Sequence, residues 1–338
     1  MKAYRIVSDA GVPEAISRVD VEEPGELLPH EVRVEVHACS LNFRDLIVTR
    51  GGYPRNDTSP VVPLSDASGE VVEVGSAVRR WSEGDRVMPN FLAKHPAGGL
   101  TEAGARSSLG GGLEGVLAER IVASEEALVR VPAHLSHEQA ATLPCAGVTA
   151  WNALTSAGLK PGDTVLLLGT GGVSVFGLQL AHAAGATTIV TSSSDEKLGL
   201  ARGLGADHVI NYGNTPDWHE EVLRITGGRG VDNVLEVGGA GTLERSLKSV
   251  RVGGTISLIG LLTNPDEQPS VLPALLNAQT IRGIYVGSVA QFEGLAQAVE
   301  ANRIKPKIDR TFAFEEAVEA YSYFQQQKHV GKVVIRVR

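Results

Sequence analysis

Only two of the 338 residues are cysteine, Cys39 and Cys145. Counting alone excludes a disulfide framework and a four-cysteine metal knuckle. A long apolar run is missing as well. The most hydrophobic stretch, 165–190, is broken by glycines and by Gln179 and His182, which are costly in hydrocarbon, so no segment is expected to span a membrane. Basic clusters are also lacking: 31 Lys and Arg stand against 39 Asp and Glu, a formal net charge of -8. That balance offers no positive field to a phosphate backbone or an anionic lipid, which argues against nucleic acid and membrane partners. Residues 1–15 carry charges and Pro13 where a signal peptide needs an apolar stretch, and a cytoplasmic protein is expected.

What is present is ordinary globular material, 43% hydrophobic and 21% charged. A chain of this length exceeds the size at which one core stops growing, so two domains are expected. Over 1–131 the apolar segments are short and alternating: Val32, Val34 and Val36 interleave with Arg33, Glu35 and His37, a period that buries one face of a strand. Similar strands are expected at 69–74 and 118–122, separated by turn-rich pieces such as Gly51-Gly52-Tyr53-Pro54, and together they predict a partly open β-barrel. After Pro161-Gly162-Asp163 the pattern changes. Continuous apolar runs at 164–168, 187–191, 208–212, 231–237, 255–261 and 281–286 alternate with helical stretches, as in a doubly wound parallel sheet covered on both faces. Two further helices, at 289–301 and 314–327, and a half-buried strand at 333–337 are expected to return to the first domain. The segment 94–112, rich in Gly and Ser, is expected to be an exposed loop.

The most specific motif is Gly169-Thr170-Gly171-Gly172-Val173-Ser174, which follows one of these strands directly and opens a helix. In that context a glycine turn brings backbone N–H groups and the positive end of a helix up to a pyrophosphate. Ser174 stands where the full fingerprint has its third glycine. The next strand ends in Ser192, Ser193 and Ser194, followed by Asp195, Glu196 and Lys197. Hydroxyls there can donate to a 2′-phosphate and Lys197 adds positive charge, which favours NADP(H). Asp195 and Glu196 leave NAD(H) open, since either is placed to hold ribose hydroxyls or to form the acidic first turn of a helix capped by Ser194.

With barrel, glycine turn and tail in this order, the whole chain resembles the medium-chain dehydrogenase/reductase superfamily, in particular its zinc-free members similar to quinone oxidoreductases and alcohol dehydrogenases. The resemblance is carried by Ser40-Leu41-Asn42-Phe43-Arg44-Asp45, Gly51-Gly52-Tyr53, Ser68-Gly69-Glu70-Val71-Val72-Glu73-Val74-Gly75, Gly84-Asp85-Arg86-Val87, Leu143-Pro144-Cys145, the glycine turn and Gly205-Ala206-Asp207-His208-Val209-Ile210-Asn211-Tyr212. It implies a GroES-like barrel domain from 1–146 with 287–338, a Rossmann dinucleotide domain from 147–286, and a homodimer or homotetramer. It also implies cofactor contacts at Thr149, Tyr212, Val237, Gly238, Ile259, Gly260, Leu261 and Val286, although Tyr212 has a plain role as a strand-end aromatic and the apolar positions have one as core.

At the places that hold catalytic zinc in zinc-dependent relatives, this chain has Asn42, Ser65 and Cys145. One thiol does not make the three-ligand site that such a metal needs, so no zinc is expected. Hydride addition to a quinone or an enone gives a stabilised oxyanion that fixed donors can support. The resemblance places Asn42, Arg44 and Tyr53 as those donors. Each also has a structural alternative: Asn42 in a barrel loop, Arg44 paired with Asp45 or Asp66, Tyr53 as a cap on the cleft. The leading expectation is an NADPH-dependent reductase of small quinones or α,β-unsaturated carbonyl compounds. A zinc-independent alcohol dehydrogenase or ketone reductase, and a non-catalytic dinucleotide-binding redox sensor, remain open.

Overall fold

The computed structural model describes residues 1–53, 60–260, 262–263 and 268–338. They form two compact units, Met1–Val148 with Val286–Arg338, and Thr149–Tyr285.

In the first unit β1 (Lys2–Ile6) and β2 (Ile16–Asp20) pair antiparallel. The remaining strands are β3 (Glu31–Ser40), β4 (Asp66–Val74), β5 (Arg86–Pro89), β6 (Arg120–Ser124), β7 (Leu128–Arg130), β14 (Ile308–Ala313) and β15 (Lys332–Arg336). They run in the order β14-β15-β3-β4-β5-β7, with β6 also bonded to β3. The alternation in β3 is the reason for its central place: Val32, Val34, Val36 and Ala38 are at most 1% exposed, while Arg33, Glu35 and His37 are half-buried. Opposite it Gly69 is obligatory, because a Cβ there would lie 2.1 Å from Glu35 O where the β3–β4 register shifts.

The tail belongs to this unit. β15 lies antiparallel to β3, with Val334 opposite Ser40, and the helix Ala317–Gln325 buries Ala320, Tyr321 and Phe324 in one core with Tyr4, Val36 and Leu41. The segment 94–112 is an exposed loop only over part of its length. Residues 96–103 are open, but a short helix at Glu102–Ala105 and a bridge from Leu92 to Ser108 bring Ser107, Ser108, Gly110 and Gly111 into the interior. Glycine content signalled the turns there and not the tight backbone packing that also requires glycine.

The second unit is a six-stranded parallel sheet of β8 (Thr164–Leu168), β9 (Thr187–Ser192), β10 (His208–Asn211), β11 (Val231–Glu236), β12 (Val250–Leu258) and β13 (Thr280–Gly283). Its order, β10-β9-β8-β11-β12-β13, is the doubly wound arrangement in which ligands bind outside the carboxyl ends of the strands. The strands read as continuous apolar runs because both faces are covered: Val165, Leu166 and Leu167 are fully buried, and every residue of β11 is at most 8% exposed. The helix Gly172–Ala183 approaches this sheet at Gly177, where a Cβ would come within 2.6 Å of Leu235 and 2.7 Å of Leu167.

One contact tests the attachment of the tail. The Tyr4 hydroxyl donates to Phe314 O at 2.8 Å in the first unit's core. Tyr4→Phe should cost about 1 to 1.5 kcal/mol, the usual net value of one buried hydrogen bond. The melting transition of the first unit should fall by about 2 to 4 °C per kcal/mol, read by calorimetry; an unchanged transition would show that the bond contributes nothing.

Candidate functional site

At the carboxyl edge of the parallel sheet, Gly169 takes φ +75° and its N–H donates to Thr191 Oγ1 at 3.3 Å. Gly171 is the N-cap of the helix Gly172–Ala183, and among the described residues no side chain caps it and no atom beyond its chain neighbours comes within 4 Å of where its Cβ would stand. Half-buried Val173 continues the first turn, whose N–H groups have no partner within the helix. Ser174 is no obstacle in the position of the third glycine: its hydroxyl folds back and donates to Leu168 O at 2.6 Å. The close approach of helix to sheet is met instead at Gly177.

Glu236, fully buried at the end of β11, organises two more turns on this edge. Its Oε1 accepts from the N–H groups of Gly238 (2.8 Å) and Gly239 (3.0 Å) and from Thr242 Oγ1 (2.6 Å), and its Oε2 from Ser246. Its backbone oxygen accepts from Ile259 and Gly260. A Cβ on Gly260 would fall 1.5 Å from Val237 O, so this turn also depends on glycine. The expected cofactor positions Gly169, Gly171, Gly172, Val173, Val237, Gly238, Ile259 and Gly260 thus share one edge. An open glycine turn and an uncapped helix N-terminus fit a dinucleotide pyrophosphate.

Beside them, Ser192 is buried and its Oγ accepts from Ser194 N–H, exposed Ser193 lies between, and Ser194 caps the helix Asp195–Gly203 by accepting from Lys197 N–H at 3.4 Å. Asp195 Oδ1 accepts from Asn211 Nδ2 at 2.8 Å, which ties this acid sideways to β10. Tyr212 is 42% exposed and bonded through its N–H to Ser192 O. Thr149 is buried on the helix Val148–Ser156. Val286, at φ +51°, belongs to the first unit. Leu261 lies outside the described residues.

The first unit carries a buried polar cluster where β3 turns into the helix Phe43–Val48. Asn42 N–H donates to Asp45 Oδ2 at 2.8 Å, and burial pushes the Asp45 carboxyl up to about 6 despite the neighbouring Arg44. Arg44 Nη1 donates to Leu109 O at 2.8 Å and Asp45 Oδ1 at 3.2 Å, and its guanidinium lies 4.3 Å from the Tyr53 ring centroid and 5.1 Å from that of Phe91. Burial opposes its charge, but Asp45 and Tyr53 hold its pKa above the usual value. Gly111 covers this arginine; a Cβ there would sit 2.3 Å from Nη2. Asn42, Arg44 and Tyr53 are therefore neighbours, with Arg44 paired to Asp45.

Sequence reasoning missed Lys332. It opens β15 at 2% exposure, and its Nζ donates to Asn42 Oδ1 at 2.5 Å and Leu41 O at 2.6 Å, with Asp66 Oδ2 at 3.5 Å. The only signal was a lysine at the head of an apolar strand. Glu236, an acid at the end of a run read as an apolar strand, was missed as well. Asp66 also accepts from Ser65 Oγ (2.7 Å) and Cys145 N–H (3.3 Å). These donors do not fit a catalytic zinc: Asn42 Oδ1 is committed to an ammonium and Ser65 to a carboxylate, which leaves the single thiol of Cys145. Among the described residues no three His, Cys, Asp or Glu side chains are placed to hold a metal.

Residues 28–133 match the alcohol dehydrogenase GroES-like domain and residues 172–301 the zinc-binding dehydrogenase domain. A zinc-type alcohol dehydrogenase-like protein of Schizosaccharomyces pombe is 46% identical over 94% of each chain. The solved structure of an NAD-dependent alcohol dehydrogenase is 33% identical over 100% of each chain with a TM-score of 0.91. That of a quinone oxidoreductase from Coxiella burnetii is 28% identical over 100% of this chain and 99% of its own, with a TM-score of 0.80. With its GroES-like domain, its doubly wound dinucleotide sheet and these relatives, the chain belongs to the medium-chain dehydrogenase/reductase superfamily of NAD(P)-dependent oxidoreductases.

Proposed function

We propose that this oxidoreductase uses NADP(H) to reduce small quinones or α,β-unsaturated carbonyl compounds, without zinc and in the cytoplasm. The observation that carries the reading is the Lys332 ammonium against Asn42 Oδ1, among the residues that match a zinc site. When bound, the dinucleotide supplies a hydride. The glycine turn after β8 holds its pyrophosphate, and the turns after β11 and β12 hold the remainder. Ser192, Ser193, Ser194, Lys197 and Tyr212 receive the 2′-phosphate, and the bond from Asn211 draws Asp195 away from the ribose. Asn42, Arg44 and Tyr53 present N–H and O–H donors to the substrate oxygen as it gains negative charge. A quinone or enone delocalises that charge, so donors suffice and water completes the protonation.

A second reading, oxidation of saturated alcohols or reduction of ketones with NAD(H), is favoured by the similarity to an NAD-dependent alcohol dehydrogenase. A homodimer or homotetramer is proposed to form through the dinucleotide unit. There β13 is an edge strand, and Leu275 and Leu276 on the helix Leu272–Leu276 are 77% and 74% exposed.

Oxidation of NADPH and NADH, followed by absorbance against matched quinones, enones and saturated ketones, tests the assignment. Turnover of the quinones or enones with NADPH is expected, and Lys197→Ala should weaken NADPH binding by about 1 to 2 kcal/mol while leaving NADH nearly untouched. Turnover of saturated ketones alone would favour the second reading, and equal loss for both cofactors would remove Lys197 from the phosphate site. For assembly, Leu275→Glu with Leu276→Glu should convert the oligomer to a monomer in sedimentation. A monomeric unmutated protein would end that proposal.

A further inference from the structure

Lys332 has three N–H donors and no acceptor, and the partners in its reach are all oxygens: Leu41 O, Asn42 Oδ1 and, more distantly, Asp66 Oδ2. An ammonium can only donate, so the Asn42 amide has one tenable orientation, oxygen toward Lys332 and Nδ2 away. That Nδ2 is buried and has no hydrogen-bond partner among the described residues. A buried N–H without a partner is costly, and here it sits on the side chain whose oxygen is bonded to a cation. Asp66 pairs with the lysine at 3.5 Å while its oxygens also accept from Ser65 Oγ, Ser40 Oγ and Cys145 N–H, and the nearer contact of Nζ is Asn42 Oδ1 at 2.5 Å.

We infer that Lys332 is a positioning residue that orients and polarises Asn42, so that the charge of a lysine reaches the substrate's oxygen through an amide. The inference rests on the proposed role of Asn42 as a donor to that oxygen. In the reduction, hydride adds to a ring carbon of a quinone or the β carbon of an enone. The displaced π pair moves to the carbonyl oxygen, the dinucleotide is left oxidised, and a proton from water neutralises the product. Negative charge grows on oxygen before that proton arrives. A hydrogen bond accepted from a cation strengthens the N–H bonds donated by the same amide, because bonds in a chain polarise one another. Asn42 Nδ2 thereby becomes a stronger donor at the moment the oxyanion forms, with no change in the ground-state contacts of a neutral substrate.

The test uses the full-length protein and para-quinones graded in the basicity of the phenolate they form on reduction, from halogenated to methylated. Lys332→Met with Asp66→Asn removes both buried charges together, since removing one alone would strand the other. Affinity for NADPH, read by fluorescence, reports the second unit and should not change. The double variant should lose roughly ten- to a hundredfold in kcat with KM nearly constant, the order seen for a weakened oxyanion donor, and the loss should grow with phenolate basicity. If that pair fails to fold, Lys332→Gln with Asp66→Asn, which keeps an N–H in place of the ammonium, is read by the same criterion. A uniform loss across the series, or none, overturns the inference, because a merely structural lysine would not sense the substrate. Asn42→Ala separates the two claims. If it leaves kcat intact, the donor assignment of the proposed function fails; if it lowers kcat while the lysine variants do not, only the inference fails.

Discussion

A buried ammonium is tolerable only where oxygens receive its hydrogens, and that requirement at Lys332 binds together parts of the chain that are far apart in sequence. Its bonds to Leu41 and Asn42 span 291 and 290 positions. They form because β15 lies in register against the end of β3, which delivers the tail of the chain to the turn that begins the helix Phe43–Val48. Around this point two buried cations, Lys332 and Arg44, stand beside two buried carboxylates, Asp66 and Asp45. Breaking one such pair costs about 3 to 5 kcal/mol, because the remaining charge is stranded in low dielectric. The pairing of β15 with β3 and the polar cluster are thus one construction.

The dinucleotide unit repeats the principle with a single carboxylate. Glu236 gathers four donors at the end of β11 and, through its backbone oxygen, fixes the turn after β12. Two loops of the cofactor edge are therefore tied to one residue, one through its side chain and one through its backbone oxygen. The glycine turn after β8 is free of such a device: it is shaped by the positive φ of Gly169 and by the Ser174 hydroxyl folding back onto the strand.

Much of the fold was legible because periodicity reports burial directly. The apolar run 164–168 is β8 residue for residue, and the helix expected at 289–301 is Val289–Ala301. The strand expected at 281–286 was less clear: it spans Thr280–Gly283, and the chain beyond it takes a positive φ at Val286. Side-chain pairing was legible only where it was local, as for Ser194 capping its own helix and Arg44 meeting Asp45. Lys332 was not, because a lone lysine in a strand says nothing of which oxygens wait across the sheet. Neither does a glycine-rich segment announce that Gly111 will cover an arginine.

On the proposed reading, buried protein charges occupy the place that a catalytic metal has in zinc-dependent relatives. Metal analysis of the full-length protein prepared in zinc-supplemented medium, with turnover measured before and after dialysis against a chelator, tests it most directly. Zinc well below one atom per chain and turnover unchanged by the chelator are expected. One zinc per chain, with activity lost on chelation and restored by adding the metal, would contradict it.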